Sequence, residues 1–196
     1  MLLYHVERMN EESANALLKV MEEPPEGVLF LLTADSLASV LPTIRSRCVS
    51  FAVAPVSPAD CTRYCAAQGV DKKTAALYSE LFDGHIGTVL AVARDEARAA
   101  QVEKALELAR AAAARDSYTA AVLLAAYEKD KAAASALLTD FRAVAAAGLR
   151  SSPRAPVQGT QARQAVRLAD AALQRLGAQV NPKVVLSVFA AKLRTL

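Results

Sequence analysis

The sequence of 196 residues contains no tryptophan, few aromatic residues (5%) and seven glycines. Strand-rich sandwiches and barrels depend on aromatic and β-branched residues and on many turns, so this composition argues against an all-β fold. Alanine is frequent, with 43 residues, and it favours helices while burying little surface. The composition therefore predicts a mainly α-helical protein in which helices pack on helices.

Features of secreted and membrane proteins are missing as well. The three cysteines are an odd number without the spacing of a disulfide framework, which indicates a reducing compartment. No apolar run approaches the roughly 20 residues of a membrane span, and no basic segment precedes the apolar N-terminus as in a signal peptide. We therefore expect a cytoplasmic protein with no membrane partner.

Motifs for catalysis and metal binding are also missing from the sequence. It contains neither a Gly-x-x-x-x-Gly-Lys-Ser/Thr phosphate loop nor a Gly-x-Ser-x-Gly elbow. His5 and His85 have no neighbours with metal-type spacing, so we interpret them as turn or surface residues. Cys61 and Cys65 are four residues apart and are interpreted as small core residues rather than half of a metal site. The sequence thus predicts no catalysis and no metal site within this chain.

Charge is distributed unevenly along the chain. From Phe141 onward there are nine basic residues and one acidic residue, which leaves a net charge of +8 there and −5 in the residues before. Such an asymmetry predicts either a surface that contacts phosphate or an acidic neighbour, or a basic solvated face. Arg163 and Arg167 are the residues that we single out as possible contacts with nucleic acid or with another subunit.

Local patterns predict two parts with different secondary structure. Asn10 should cap a helix that ends at Pro24-Pro25. The apolar run Val28–Thr33 (VLFLLT) reads as a strand covered on both faces, and Val49–Val53 could form another. After a linker containing Pro55, Ser57 and Pro58, three short helices are predicted, beginning near 58, 72 and 86. Longer helices follow at roughly 95–114, 117–128, 131–149, 160–176 and 182–195.

Arg47 is the side chain with the clearest chemical potential. It lies between two small residues in Thr43–Cys48 (TIRSRC), after the apolar strand and a short helix. An arginine held in this way can project its guanidinium toward a phosphate supplied by another molecule. It could equally hydrogen-bond the carbonyl groups at the nearby helix end, and chemistry alone leaves these two interpretations open.

Two blocks, Met9–Pro25 (MNEESANALLKVMEEPP) and Leu41–Cys48 (LPTIRSRC), with the apolar strand between them, closely resemble the bacterial clamp-loader subunits of DNA polymerase III. The resemblance implies that Arg47 is an arginine finger acting in trans on ATP bound by the adjacent subunit. Ser46 and Cys48 would fix its backbone, and Thr33 falls where the family keeps its first polar sensor.

Within the family, two features favour the delta-prime branch, which keeps the finger but does not hydrolyse ATP. Gly87 stands where gamma and tau subunits carry a second sensor arginine, and Asn181–Leu186 resembles the delta-prime collar. The resemblance then implies a remnant of an AAA+ α/β domain with one to three strands (1–53), a three-helix lid (54–94) and an all-α collar (95–196). This subunit would be no enzyme by itself but an accessory subunit of the polymerase holoenzyme.

Partners and cofactors follow from the same resemblance. The partners would be gamma/tau and delta subunits in a hetero-pentamer, the sliding clamp and primed DNA. The chain itself would hold no cofactor, since ATP and magnesium would be bound by a neighbouring subunit, and the family's zinc-binding cysteines do not occur here. Residues Tyr4–Met9 (YHVERM) replace the acidic pattern of the family's second nucleotide motif, in which only Glu7 could stand for a carboxylate.

The resemblance also implies an N-terminally short form of the family, in which the strand expected between Val28–Thr33 and Val49–Val53 is missing. We expect these two apolar segments to lack partners and residues 1–53 to be less ordered or packed differently. Two alternatives stay open: a fragment of a gamma/tau ATPase, and a stand-alone helical interaction module.

Overall fold

The computed structural model describes residues 1–54 and 56–196, and these form two compact units, Met1–Ala54 and the residues from 56 onward. The described residues contain ten α-helices and one two-stranded parallel sheet near the N-terminus. The prediction of a mainly α protein with a small remnant of parallel sheet is confirmed. Pro55, which we assigned to the linker, lies outside the described residues.

The N-terminal unit has two strands and two α-helices, with short 3-10 helices at Val6–Arg8 and Leu37–Ser39 in the connections. The strands and α-helices are β1 (Leu2–Leu3), α1 (Glu11–Glu22), β2 (Leu31–Leu32) and α2 (Pro42–Arg45). β1 and β2 are parallel, with Leu2 opposite Leu31. The side chain of Asn10 caps α1 as predicted, because it accepts a hydrogen bond from the Ser13 backbone N–H at 2.8 Å. A small core lies beneath these elements, formed by Val6, Ala14, Leu17, Val40 and Ile44.

The predictions for the strands of this unit are partly wrong. The segment Val28–Thr33 forms a strand only at Leu31–Leu32, and it is not covered on both faces, since Leu29 is 69% exposed. The segment Val49–Val53 forms no strand, and Val53 is 94% exposed. The physical reason is the same in both segments. A strand needs a hydrogen-bonded neighbour, and among the described residues β1 alone pairs with β2.

The second unit is entirely helical in its described residues. Its helices are α3 (Pro58–Ala67), α4 (Lys72–Leu81), α5 (Ile86–Arg94), α6 (Glu96–Ala114), α7 (Ser117–Ala125), α8 (Lys131–Leu149), α9 (Gly159–Gly177) and α10 (Pro182–Leu193). Side-chain caps begin several of them where the sequence predicts. Ser57 accepts a hydrogen bond from the Asp60 N–H, and Asp71 and Asp116 accept bonds from the N–H groups three residues further on.

One apolar core extends through the second unit from Cys61 to Leu196. Alanines line the buried faces of its long helices, and the rings of Phe141 and Phe189 meet edge to face with centroids 5.4 Å apart. α8 is long and apolar enough to cross a membrane by length and composition, but half of the relevant window is buried within this unit. Its apolar character therefore suits a central helix packed between α6 and α9.

Polar contacts join the three short helices to the rest of this unit. Glu80 in α4 accepts hydrogen bonds from Ser152 Oγ at 2.9 Å and from Arg154 Nε at 3.2 Å. Arg150 donates to the Leu81 carbonyl at 3.3 Å and pairs with Asp83 at 3.1 Å. The assignment of 1–53, 54–94 and 95–196 to an AAA+ base, a lid and a collar stays a prediction.

Candidate functional site

The backbone around Arg47 is fixed by the short helix α2. Pro42 occupies its first turn, and Ile44 anchors it in the core of the N-terminal unit. After the helix the chain continues in turns, in which the Arg47 N–H donates to the Ile44 carbonyl at 3.1 Å and the Cys48 N–H donates to the Arg45 carbonyl at 3.3 Å. The backbone that presents Arg47 is therefore held by the buried side chain of Ile44, three positions earlier.

The guanidinium of Arg47 contacts both a helix-end carbonyl and a carboxylate. Its Nη1 donates to the Thr43 carbonyl at 3.0 Å and lies 3.3 Å from Ser46 Oγ. Its Nη2 donates to Glu22 Oε1, at the end of α1, at 2.5 Å. The hydrogen bond to the helix-end carbonyl is therefore present, while contact of Arg47 with a phosphate of another molecule stays a prediction.

Sequence reasoning did not find Glu22 as the partner of Arg47. Both side chains are partly exposed, at 51% for Glu22 and 39% for Arg47. The sequence offered one signal, the position of Glu22 in the first resemblance block. That position does not indicate which residue Glu22 contacts. In this arrangement a carboxylate oxygen occupies a place that a phosphate oxygen could take, because arginine binds both anions through the same donors.

Ser46 and Cys48 lie on either side of Arg47 with different surroundings. Ser46 Oγ donates to the Thr43 carbonyl at 2.9 Å, so it shares this acceptor with Arg47. Cys48 is a half-buried free thiol packed against the core of the N-terminal unit. Both contacts restrict the turn that presents Arg47, while the role of either residue in a mechanism stays a prediction.

Thr33 lies at the end of β2, beside the turn that follows β1. Its Oγ1 accepts a hydrogen bond from the His5 backbone N–H at 3.2 Å. The ring of His5 lies near two carboxylates, with Nδ1 3.0 Å from Glu7 Oε1 and 3.7 Å from Asp35 Oδ1. Sequence reasoning placed His5 in a turn and considered Glu7 only as a carboxylate of the nucleotide motif. It missed Asp35 because this residue is remote in the sequence.

The pKa of the Glu7 carboxyl group is lowered from its ordinary value. Burial of the group acts to raise this pKa, but the backbone N–H of Glu7 and the neighbouring His5 and Arg8 side chains outweigh it and favour the carboxylate. The Glu7 side chain is only 9% exposed. A largely buried negative charge therefore lies in the short helical turn Val6–Arg8 that follows β1.

Arg163 and Arg167 are one helical turn apart on the solvent-exposed side of α9. Four other basic residues of the C-terminal region pair with acidic groups within the chain, and these are Arg142, Arg150, Arg154 and Lys183. In the part of the chain that the structure describes, Arg163 and Arg167 form no ion pair. They are thus available to an external anion, and their contact with nucleic acid or a subunit stays a prediction.

Cys61 and Cys65 are both fully buried, with their Sγ atoms 4.0 Å apart. Burial, with a further contribution from the Cys61 thiol, raises the pKa of Cys65 to about 11. A buried thiol that resists ionisation is a poor metal ligand. The interpretation of these cysteines as core residues is confirmed.

Residues 1–57 match a protein-family model described as DNA polymerase III, delta subunit. The chain is 45% identical over 62 residues to the DNA polymerase III subunit delta' of Yersinia pestis, which covers 32% of this chain and 18% of the relative. It is 62% identical over 42 residues to the delta' subunit of Haemophilus influenzae, covering 21% and 13%. The tau subunit of Escherichia coli is 46% identical over 50 residues, covering 26% and 8%.

Over its N-terminal segment the chain is thus similar to subunits of DNA polymerase III, in agreement with the resemblance carried by the motif around Arg47. The chain spans less than a fifth of the length of the relatives it matches. Within the class, the family model and the delta' relatives support a delta-prime-like subunit. The resemblance carried by the two sequence blocks is therefore confirmed for residues 1–57.

Proposed function

We propose that this chain acts as a non-hydrolysing clamp-loader subunit that supplies Arg47 in trans to ATP held by a neighbouring subunit. The observation that carries the proposal is the Arg47 guanidinium, which is anchored by α2 and already bound to an anion, Glu22. The similarity of residues 1–57 to delta' subunits supports the same role. ATP and magnesium would belong to the neighbour, so Arg47 would neutralise charge that develops on the transferred phosphoryl group.

Glu22 holds the guanidinium of Arg47 in place until the neighbour's phosphate replaces it. Ion pairs between partly exposed side chains contribute about 0–1 kcal/mol, whereas an arginine finger raises the rate of phosphoryl transfer by on the order of 10³–10⁵. Displacing Glu22 therefore costs little compared with the stabilisation gained at the transition state. We expect the Arg47 guanidinium to move readily between Glu22 and the phosphate of the neighbouring subunit's ATP.

The assembly would contain gamma/tau and delta subunits, the sliding clamp and primed DNA, in the cytoplasm. Arg163 and Arg167 would contact the DNA or an acidic neighbouring subunit. Gamma and tau relatives match as well, and this observation favours a second candidate, part of an ATPase subunit of the gamma/tau type. A phosphate loop encoded upstream in the same reading frame would support the second candidate.

The test compares Arg47→Ala with Arg45→Ala in a loader reconstituted from this chain with gamma/tau and delta subunits. Arg45 is an exposed arginine two residues away that forms no ion pair among the described residues, so its variant controls for loss of charge. We expect Arg47→Ala to lower ATP hydrolysis at the adjoining site by on the order of 10³, with unchanged assembly in gel filtration. Arg45→Ala should retain the normal rate.

Normal hydrolysis by the Arg47→Ala complex would refute the finger. Failure of the unsubstituted chain to associate with gamma/tau subunits would favour the stand-alone interaction module instead. Glu22→Gln adds a third measurement, since the loss of a weak competing ion pair should leave the rate unchanged or raise it by less than about fivefold.

A further inference from the structure

The ends of β1 and β2 bring three potential metal ligands together. His5 and Glu7 follow β1, and Asp35 follows β2. One ligand atom from each residue lies within 4.8 Å of those of the other two. His5 Nδ1 is 3.0 Å from Glu7 Oε1 and 3.7 Å from Asp35 Oδ1. This cluster is formed by the parallel pairing of the two strands.

Glu7 provides a second, independent observation. Its side chain is 91% buried, and its second oxygen, Oε2, is buried without a hydrogen-bond donor in the described part of the chain. Burying a carboxylate oxygen that has no donor or cation is unfavourable. A positive ion bound at Oε1 would neutralise the carboxylate to which this unpartnered oxygen belongs.

We propose that His5, Glu7 and Asp35 bind one divalent ion of the zinc class. The donor set of one imidazole nitrogen and two carboxylate oxygens suits Zn²⁺ and similar first-row ions better than Mg²⁺ or Ca²⁺, which prefer oxygen ligands alone. Ligands about 2.1 Å from a tetrahedral zinc ion lie about 3.4 Å from one another. The two distances measured from His5 Nδ1 lie on either side of this value.

The site differs from the nucleotide-dependent acidic pattern expected at this position, because histidine replaces an acidic residue and no phosphate takes part. Three protein ligands leave at least one coordination position for water. The ion would cross-link the segment after β1, which carries His5 and Glu7, to the segment after β2, which carries Asp35. This cross-link would reinforce a unit whose strands are only two residues long.

The test is a calorimetric titration of the full chain with ZnCl₂, repeated with CoCl₂ and recorded by absorption spectroscopy. We expect one ion per chain, with Co²⁺ bands typical of nitrogen and oxygen ligands. His5→Ala and Asp35→Asn should each weaken binding at least tenfold. Both positions are exposed, so these variants should fold, and circular dichroism checks this. His85→Ala is the matched control and should bind like the unsubstituted chain.

Glu7→Gln keeps the shape of the side chain and should weaken binding to a similar extent. The proposal is overturned if Zn²⁺ and Co²⁺ do not bind, or if His5→Ala or Asp35→Asn binds as tightly as the unsubstituted chain. Strong thiolate bands in the Co²⁺ spectrum would also overturn it, since they would place the ion at cysteine. None of these measurements depends on ATP hydrolysis, so their outcome is separate from that of the Arg47 test.

Discussion

The ion pair between Arg98 in α6 and Asp140 in α8 should be a strong determinant of stability. The guanidinium of Arg98 binds both oxygens of Asp140, and Gln101 donates a further hydrogen bond at 3.1 Å. Asp140 is 3% exposed and Arg98 30% exposed. The carboxylate depends on its partners, whereas the arginine can still reach water. The hydrogen bonds from Arg98 to Asp140 also raise the pKa of Arg98, so its guanidinium stays protonated.

The difference in exposure between Asp140 and Arg98 determines how much each substitution should lower the free energy of unfolding. Arg98→Ala leaves a buried carboxylate with only Gln101 as donor and should lower the free energy of unfolding by about 3–5 kcal/mol. Asp140→Ala leaves an arginine that can turn toward solvent, and we expect a smaller loss of about 1–3 kcal/mol. The double variant Arg98→Met with Asp140→Leu should recover most of the stability, because apolar replacements remove both desolvated charges together.

Urea unfolding followed by circular dichroism at pH 7 measures these differences. Arg110→Ala is the matched control, since Arg110 forms an exposed pair with Glu103, and should cost less than about 1 kcal/mol. The reasoning is refuted if Arg98→Ala is no more destabilising than Arg110→Ala, or if Asp140→Ala is the more harmful of the two single changes.

Three further predictions concern the second unit and the thiols. A Cβ atom on Gly148 would lie 1.9 Å from the Val157 carbonyl oxygen. Gly148→Ala should therefore lower the stability measured in thermal unfolding by about 1–3 kcal/mol. This loss should occur although alanine is favoured over glycine in helices by about 1 kcal/mol. Gly87→Ala meets nothing within 4 Å and should be neutral or stabilising; equal effects of the two would contradict the packing. At pH 8 a thiol reagent should modify Cys48 before Cys65, whose pKa is about 11 in place of the ordinary 9.0. Because the unfolded thiol ionises first, stability should fall as pH rises from 9 to 11, and equally fast labelling of both thiols would disprove the burial.

Helix positions could be predicted from the sequence because their signals are local. Asn10, Asp71 and Asp116 each bond an N–H group three residues further on, so the residue type and its position predict where the helix begins. Strands depend on partners that are distant in the sequence. The apolar character of Val28–Thr33 and Val49–Val53 therefore indicated strands. Only the family resemblance, in which a neighbouring strand is missing, indicated that most of these residues would lack a partner.

In the candidate site, too, local features could be predicted from the sequence and long-range contacts could not. The motif around Arg47 could be identified from adjacent residues, and the turn after α2 is a local structure. Its contact with Glu22 and the approach of Asp35 to His5 depend on how α1 and the two strands are arranged. Such contacts join residues far apart in the chain, and no periodicity or spacing in one sequence indicates them.

The contacts of Glu80 and Arg150 have a mechanical consequence. Any rotation of α3–α5 relative to α6–α10 would have to break the bonds from Ser152 and Arg154 to Glu80 and the pairing of Arg150 with Asp83. It would also expose apolar surface from the core that both groups of helices share. A force applied to the short helices would therefore be transmitted to the long ones without bending at Asp95. The eight helices would move together as one rigid body.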